Sequence, residues 1–278
     1  MKKQIIFRFD IDTHVCIRDG VPKLIELGKK YNVPFTFFLN TGKSVSMCSS
    51  IKAIISNMLY PKAVTTSEHL SALEKLGKKD YIYTALINPQ ISTYKKNILM
   101  LLTSKNEMGI HGGKNHELWA KNIYRYSYKK IKKELEYSLN KIKKIYPEYK
   151  VCGFASPCWE TNDTVKNVLL DLDFRYAADV HTIDINTDIT YYRNLACIPT
   201  NLIAEPGGVA YFEHCRAKKM TDEDIINDFF SRINNQRRYN VVYDHPYFVG
   251  KKEIPLLEKI IILLLQNNFT ITTMSSLL

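Results

Sequence analysis

Ionisable residues of this chain recur directly after short apolar runs, at the points where predicted strands end. Two carboxylates spaced two residues apart at a strand end point the same way, so both can face one site. One of them could bind a metal ion while the other acts as a base on water. An aspartate and two histidines form a ligand set that suits Zn²⁺ or a similar divalent ion. The residues placed in this way are Asp10, Asp12, His111, Asp179, Asp244 and His245, and Asn115 and His116 come close behind His111.

A further histidine on the far side of such a site can protonate a leaving amine, as an amide hydrolase requires. Each signal taken alone has a structural alternative, because an acidic pair can cap a helix and a lone histidine is often a core residue. Their ordered combination after apolar runs indicates a metal-dependent hydrolase. We interpret His69, His181 and His214 as structural, and we do not expect Cys158 to be a nucleophile because no histidine partner is apparent near it.

The elements that must position these residues alternate along the chain. Strand-like runs and helical patterns follow one another seven or eight times, which predicts a parallel sheet. Over 278 residues the expected closure is a distorted (β/α)7-8 TIM-like barrel with its active site at the C-terminal ends of the strands. Residues 45–105 depart from this alternation, because helical segments occupy the stretch between the second and third strands. We predict that these segments form a helical insertion over the barrel mouth. No linker divides the chain, which favours one domain over residues 1–278.

Composition sets bounds on the class of protein. An apolar fraction of 45% with 24% charged residues is ordinary for a globular protein. The net charge of +11 accompanies a general abundance of Lys, Ile, Asn and Tyr, and no aromatic-basic motif supports a nucleic-acid partner. Residues 1–7 do not read as a signal peptide, and no apolar run is long enough to span a bilayer, so we expect a cytoplasmic protein. Scattered cysteines without a CxxC motif indicate reduced thiols: Cys16, Cys48, Cys152, Cys158, Cys197 and Cys215.

Specific motifs resemble one known family. The segment Phe-Arg-Phe-Asp-Ile-Asp-Thr at 7–13 resembles the first motif of NodB-type polysaccharide deacetylases. Residues 9–42, with Asp-x-Asp-Thr, then Arg-Asp-Gly-Val-Pro and a Phe-Phe pair before a glycine turn, are similar to one branch of that superfamily. This branch contains the deformylases that act on undecaprenyl-phosphate-linked 4-formamido-arabinose. The resemblance extends to the insertion at 45–105 and to the closing residues 269–277.

The resemblance implies a role for each matching residue. Asp10 corresponds to the catalytic base and Asp12 to a metal ligand. His111, in Gly-Ile-His-Gly, corresponds to the first histidine ligand, and His245 to the general acid. Asp179 falls where the family keeps a carboxylate that orients this acid. The implied cofactor is a divalent metal, with zinc the expected ion and cobalt, nickel, manganese or iron as alternatives.

The chain departs from the family pattern at two points. The second histidine ligand of the family falls at Asn115, one residue before His116. We expect His116 to be the ligand, with the amide oxygen of Asn115 as the alternative. The arginine that orients the base in many members is missing near the fourth strand, and Arg8 lies too far inside the first strand to be expected as its substitute. Pro157 and Trp159, together with Asn115, are the predicted contacts to the sugar, with a structural role as the alternative for the first two.

The resemblance implies hydrolysis of a formyl or acetyl group from an N-acylated sugar, with a lipid-linked amino sugar at the inner face of the membrane as the expected substrate. A soluble-glycan N-deacetylase and a catalytically degenerate sugar-binding member are the alternatives. Two apolar stretches of the insertion, 51–60 and 98–102, could rest on a bilayer, although stretches of this kind more often pack on the barrel.

Overall fold

The fold is built on one curled sheet of mostly parallel strands. The computed structural model describes residues 3–46, 72–184, 187–205, 209–233 and 238–278. Its strands are β1 (Gln4–Ile11), β2 (Thr36–Leu39), β3 (Glu107–His111), β4 (Gly153–Ala155), β5 (Tyr176–His181), β6 (Thr190–Tyr192), β7 (Leu195–Thr200), β8 (Tyr239–Asp244) and β9 (Thr270–Ile271).

The strands are arranged in the order β6-β7-β5-β4-β3-β2-β1-β8, with β9 paired to β1. All of these pairs are parallel except β6 with β7. The sheet curls until its two ends approach each other at a bridge between Leu202 and Val242. There the Asn201 side chain bonds the backbone of Tyr239 and Val241. The predicted distorted barrel is therefore confirmed.

Alternate residues of β1 face two different cores. Phe7 and Phe9 belong to the large apolar core between the sheet and its helices, whereas Ile6 belongs to a second cluster on the opposite face of the strand, inside the barrel. Because successive side chains of a strand point to opposite faces, Arg8 and Asp10 share the inward face with Ile6. This alternation brings two charged side chains into the barrel.

Helices cover the outer face of the sheet. The first of them buries Leu24 and Ile25, carries Pro22 in its first turn and ends at Asn32, which adopts the left-handed conformation. The helices are α1 (Val21–Tyr31), α2 (Ala72–Leu76), α3 (Lys78–Leu86), α4 (Lys95–Leu102), α5 (His116–Asn122), α6 (Tyr128–Lys143), α7 (Asp163–Asp171), α8 (Tyr211–Ala217), α9 (Asp222–Ile233), α10 (Pro246–Lys252) and α11 (Ile254–Gln266).

The stretch between β2 and β3 contains the predicted helical insertion. Its described part comprises α2, α3 and α4. The predicted bilayer contact at 51–60 lies outside the described residues. At 98–102 the alternative of packing on the barrel holds for Ile98, Leu101 and Leu102, which are buried, and α4 packs against α1 and β3. These apolar residues are the inner face of an amphipathic helix, which serves the core rather than a membrane.

A close approach of two glycines fixes the start of α10. A π-helix at Cys16–Gly20 follows β1, and a Cβ atom on Gly20 would lie 2.0 Å from the carbonyl oxygen of Pro246. On the other side, a Cβ on Gly250 would lie 2.5 Å from the Gly20 carbonyl oxygen. The backbones can meet only because neither residue has a side chain. The contact holds α10, which begins directly after His245, against the loop that follows β1.

Candidate active site

The predicted site residues meet at the C-terminal ends of three strands. Asp10 lies near the end of β1 and Asp12 directly after it. His111 is the last residue of β3, and His116 is the first residue of α5. His245 follows β8. In a parallel barrel these ends lie on one side of the sheet, so residues far apart in the sequence share one site.

Asp12, His111 and His116 form a compact group of three ligand atoms. Oδ1 of Asp12 lies 3.2 Å from Nε2 of His111 and 3.5 Å from Nε2 of His116. The two Nε2 atoms are 3.1 Å apart. All three atoms lie within 4.8 Å of one another. This is the spacing of atoms that converge on a common ion.

The donor set fits a divalent cation. Oδ1 of Asp12 is buried and makes no hydrogen bond with any described residue. Nδ1 of His111 donates to the Ala155 carbonyl oxygen at 2.9 Å, which leaves Nε2 of that ring to face Asp12. Burial lowers the pKa of His116 to about 4, so its imidazole is neutral near pH 7 and keeps a free lone pair. Lone pairs that face one another without a proton between them are stabilised by a cation.

The pKa of His111 is shifted in the opposite direction to that of His116. Burial lowers the pKa of His111, but the carboxylates of Asp10 and Asp12 outweigh that effect and raise it. The negative charge that raises this pKa would equally favour a divalent cation beside Nε2 of His111.

Asn115 caps a helix, whereas its neighbour His116 faces the ligand group. Its Oδ1 accepts the backbone N–H of Leu118, and its Nδ2 donates to the carbonyl oxygen of Val45, both at 2.9 Å. The residue is the N-cap of α5, and both ends of its amide are engaged. The cap starts the helix at His116 and thereby directs that imidazole towards His111. The geometry therefore favours His116 as the ligand and leaves neither end of the Asn115 amide free for a metal ion or a sugar.

Asp10 is held by an arginine from its own strand. Nε and Nη2 of Arg8 donate to the two oxygens of Asp10 at 3.0 and 2.8 Å. Nη1 donates to the Ala178 carbonyl oxygen at 2.6 Å and to Oγ1 of Thr200 at 3.1 Å. Arg8 is fully buried. The expectation that Arg8 lies too far inside β1 to orient the base is wrong, since residues 8 and 10 share one face of the strand.

Trp159 packs against the guanidinium group of Arg8. The indole ring stands 4.2 Å from the Arg8 guanidinium carbon and 5.3 Å from the ring of Tyr243. Pro157 is buried in the same turn and packs against Gly112, whose φ of +72° allows the chain to bend directly after His111. Trp159 thus forms one wall of the site, and Pro157 supports the loop that follows His111.

His245 faces Asp12 across the site. Its Nε2 lies 3.1 Å from Oδ2 of Asp12 and 2.8 Å from the hydroxyl oxygen of Tyr243. Its Nδ1 lies 2.6 Å from Oε1 of Glu213. The imidazole is thus fixed from both sides, with Nε2 turned towards the ligand group.

The predicted contact between Asp179 and His245 is wrong. Asp179 instead accepts the backbone N–H of Ser156 at 2.6 Å, at the loop that follows β4. Burial raises the pKa of Asp179. The carboxylate that contacts His245 belongs to Glu213 on α8, which sequence reasoning missed because α8 is a short helix without a predicted pattern. The sequence signal for it is the Glu213-His214 pair that follows Tyr211-Phe212.

Glu213, Asp244 and His245 also bring ligand-type atoms within 4.8 Å of one another. Their oxygens are already engaged. Oδ2 of Asp244 accepts the N–H groups of Phe212 and Glu213 at 2.7 and 3.2 Å, and its Oδ1 accepts the N–H of His245 at 2.8 Å. Burial and the nearby Glu213 carboxylate raise the pKa of Asp244 to about 7. We therefore interpret this group as a hydrogen-bonded anchor rather than a second metal site.

A barrel that holds an Asp-His-His group, an arginine-held aspartate and an opposed histidine is typical of one class of hydrolase. The comparison of the sequence with known families identifies that class. Residues 1–177 match the family described as polysaccharide deacetylase. Because that match covers more than half of the 278 residues, the chain belongs to the polysaccharide deacetylase family. The family match agrees with the predicted class of carbohydrate amide hydrolase.

One relative points to a branch of the family. The probable 4-deoxy-4-formamido-L-arabinose-phosphoundecaprenol deformylase ArnD of Wigglesworthia glossinidia brevipalpis is 27% identical over 163 residues. These residues are 58% of this chain and 54% of that protein, so the match spans about half of the relative. The resemblance to the deformylase branch is therefore confirmed.

Solved structures agree on the fold. A putative polysaccharide deacetylase from Mycobacterium smegmatis has a TM-score of 0.63 at 15% identity, covering 99% of this chain and 88% of that one. The peptidoglycan deacetylase PdaC from Bacillus subtilis has a TM-score of 0.55 at 16% identity, covering 99% and 90%. The pseudoenzyme BA3943 from Bacillus anthracis has a TM-score of 0.54 at 14% identity, covering 99% and 65%. At these identities the likeness shows the fold alone. No helix within the described ranges is long and apolar enough to cross a membrane.

Proposed function

We propose that this chain hydrolyses the amide of an N-formyl or N-acetyl group on a sugar, with a divalent ion held by Asp12, His111 and His116. The observation that carries the proposal is the buried Oδ1 of Asp12, which has no hydrogen-bond partner among the described residues and faces two imidazole nitrogens. Zinc is the proposed ion, since one carboxylate oxygen and two imidazoles suit its tetrahedral coordination with an open position.

When bound, the ion would polarise the acyl carbonyl and make a water molecule more acidic. The protein supplies the proton transfers. Asp10, held in one orientation by two N–H groups of Arg8, accepts a proton from the attacking water. His245, on the opposite side of the Asp12 carboxylate, donates a proton to the departing sugar amine. Trp159 and Tyr243 shield the Arg8–Asp10 pair from solvent, which strengthens their interaction.

A lipid-linked sugar is the proposed substrate, processed at the cytoplasmic face of a membrane. The ArnD relative supports this proposal, and so does the surface of α3. This helix turns its polar Thr84 inward, where Thr84 contacts His14, while Ile82 and Leu86, and Ile87 directly after the helix, are exposed. Apolar side chains on the outer face of a helix near the site mouth would suit a surface that holds a polyprenyl chain.

Turnover and metal content test the proposal together. Protein reconstituted with zinc is incubated with formylated and acetylated amino sugars, both free and polyprenyl-phosphate-linked, and released formate or acetate is measured. We expect Asp10→Asn to lose turnover and keep metal, and His116→Ala to lose both. Asp163→Asn, which changes an exposed carboxylate on α7, is the matched control and should keep both.

Each outcome has a distinct meaning. Turnover confined to the lipid-linked sugar supports the full proposal, and equal turnover of free sugars replaces it with a soluble-glycan deacetylase. Metal binding without turnover on any of these substrates would refute the proposed hydrolysis. Protein that binds no divalent ion refutes the proposed site.

A further inference from the structure

Aromatic side chains form the floor of the candidate active site, one layer below the ligand group. Arg8 on β1 and Tyr243 on β8 are register partners, so both point into the barrel two residues before Asp10 and His245. The guanidinium carbon of Arg8 lies 4.2 Å from the centre of the Trp159 ring and 5.1 Å from that of the Tyr243 ring. The two rings meet edge to face, with their centroids 5.3 Å apart. These rings close the barrel directly beneath the groups that face the proposed ion.

The Trp159 side of this floor is held by an unusual backbone conformation. Cys158 and Trp159 have φ angles of +54° and +64°, in the left-handed region. Residues other than glycine adopt this conformation only where surrounding contacts enforce it. Here the N–H of Trp159 donates to the carbonyl oxygen of Ser156 at 3.1 Å, and the N–H of Ser156 donates to Oδ1 of Asp179 at 2.6 Å. The loop after β4 therefore presents the indole ring as a fixed surface over Arg8.

The hydroxyl group of Tyr243 extends from the floor to the level of the reacting groups. Its oxygen lies 2.8 Å from Nε2 of His245, and this nitrogen lies 3.1 Å from Oδ2 of Asp12. The rings of Tyr243 and His245 are also in contact, with centroids 5.1 Å apart. Tyr243 is only 8% exposed, so it cannot turn into solvent without breaking these contacts. The hydroxyl oxygen therefore bounds the space between the ligand group and the floor on the side of His245.

The orientation of an N-acyl sugar in this site follows from its size. The sugar ring is too large to enter a floor closed by aromatic rings, so it must remain on the solvent side. With the amide nitrogen near His245 and the carbonyl oxygen near the ligand group, the last substituent of the acyl carbon points to the floor. This substituent is a hydrogen atom in a formyl group and a methyl group in an acetyl group. A methyl carbon requires about 3.5–4.0 Å from each neighbouring heavy atom, and the Tyr243 hydroxyl occupies that space.

We propose that Tyr243 limits the acyl pocket to a formyl group and makes an N-formyl amino sugar the substrate class, an inference that rests on the proposed function. Hydrolysis of one N-formyl amide by one water molecule yields formate and the protonated sugar amine. A hydrogen atom on the acyl carbon clears the hydroxyl oxygen of Tyr243, whereas a methyl group displaces either the ring or the acyl carbon. Overpacking of this kind is unfavourable even when the misfit is a single methyl group.

Two small hydroxamic acids test the pocket without turnover. Formohydroxamic and acetohydroxamic acid chelate zinc through the same two oxygens and differ only by hydrogen or methyl on the acyl carbon. Isothermal titration calorimetry of the zinc-loaded protein gives the Kd of each. We expect the parent to bind formohydroxamic acid more tightly by on the order of 10-fold or more. Tyr243→Leu should reduce this ratio to about threefold or less, because it removes the hydroxyl and half-empties the floor.

Two further variants make the comparison specific to the Tyr243 hydroxyl. Tyr239→Leu is the matched control, because Tyr239 begins the same strand and belongs to the inner cluster, four residues before Tyr243. It should keep the ratio of the parent. Tyr243→Phe keeps the ring and removes only the oxygen beside Nε2 of His245, so it should fold like the parent and narrow the ratio by about threefold.

Turnover on matched N-formyl and N-acetyl derivatives of one amino sugar gives the second test. Because formamides are intrinsically more reactive than acetamides, the ratio of the two kcat/KM values is compared between proteins rather than taken alone. Relative to the parent and to Tyr239→Leu, we expect Tyr243→Leu to lower this ratio by on the order of 10-fold, mainly through a gain on the acetyl substrate. A structural role of Tyr243 would lower both activities equally and leave the ratio unchanged, which would overturn the proposal.

The binding results separate this proposal from the proposed function. Equal affinity of the parent for the two hydroxamic acids would refute a formyl-sized pocket. Discrimination that persists unchanged in both Tyr243→Phe and Tyr243→Leu would remove Tyr243 as its cause. If no sugar is hydrolysed but the hydroxamic acids are still discriminated through Tyr243, the proposed hydrolysis fails and the formyl-sized pocket stands. If neither acid binds the zinc-loaded parent, both proposals fail together.

Discussion

Replacement of Arg8 by methionine should destabilise the metal-free protein strongly. Arg8 is fully buried and donates two hydrogen bonds to Asp10 and one each to Ala178 and Thr200. Without it, the carboxylate of Asp10, only 2% exposed, keeps no arginine partner. Breaking a buried ion pair on one side costs about 3–5 kcal/mol. Since a domain is stable by roughly 5–15 kcal/mol, the variant should lose a large part of its free energy of unfolding.

A double-mutant cycle isolates the interaction of the two side chains. Asp10→Asn leaves Arg8 with a neutral acceptor, and we expect a smaller cost of about 1–3 kcal/mol. The double variant buries neither charge. Its cost should therefore fall short of the sum of the single costs by about 2 kcal/mol, within the range found for residues in direct contact.

Urea unfolding in the presence of EDTA, followed by circular dichroism, measures these free energies. Arg18→Met is the matched control, because Arg18 also pairs with two carboxylates but is partly exposed, and its loss should cost about 0–1 kcal/mol. Additive single costs, or an Arg8→Met cost no larger than that of the control, would refute the view that Arg8 holds a buried Asp10.

Three other substitutions test the metal group and the packing around it. Zinc at about 100 times its Kd should stabilise the parent by about 2.7 kcal/mol and raise Tm by roughly 5–8 °C in a scanning calorimeter, and His116→Ala should abolish the shift. Asn115→Ala removes the cap of α5 and should lower the free energy of unfolding by about 1 kcal/mol in urea, while equilibrium dialysis still finds bound zinc. Gly20→Ala places a methyl group against Pro246 and should cost about 1–3 kcal/mol, with reduced turnover because the start of α10 moves His245.

The outcomes that contradict these expectations are equally specific. A zinc-dependent rise in Tm that survives in His116→Ala would remove this residue from the ligand set. Loss of zinc from Asn115→Ala would restore the amide oxygen as the ligand. A Gly20→Ala protein with parent stability would mean that α10 and the π-helix separate without cost.

The positions of the strands could be predicted from the sequence because apolar runs of this kind are buried on both faces in a parallel sheet. The predicted alternation of strands and helices matches the order of the observed elements. The short helices α5, α8 and α10 were not predicted, because two or fewer turns carry little periodic signal. Two of these begin at or directly after a site histidine, and α8 carries Glu213.

The sequence by itself determined which residues gather at the site. Asp10, Asp12, His111 and His245 lie at or directly after strand ends, and parallel strands end on one side of a barrel, so their proximity needs no knowledge of distant contacts. Only the tertiary structure decided the partners of these residues. Whether a carboxylate from β5 or from α8 reaches His245 depends on how two loops pack across the barrel mouth, and packing between distant segments leaves no local pattern in the sequence.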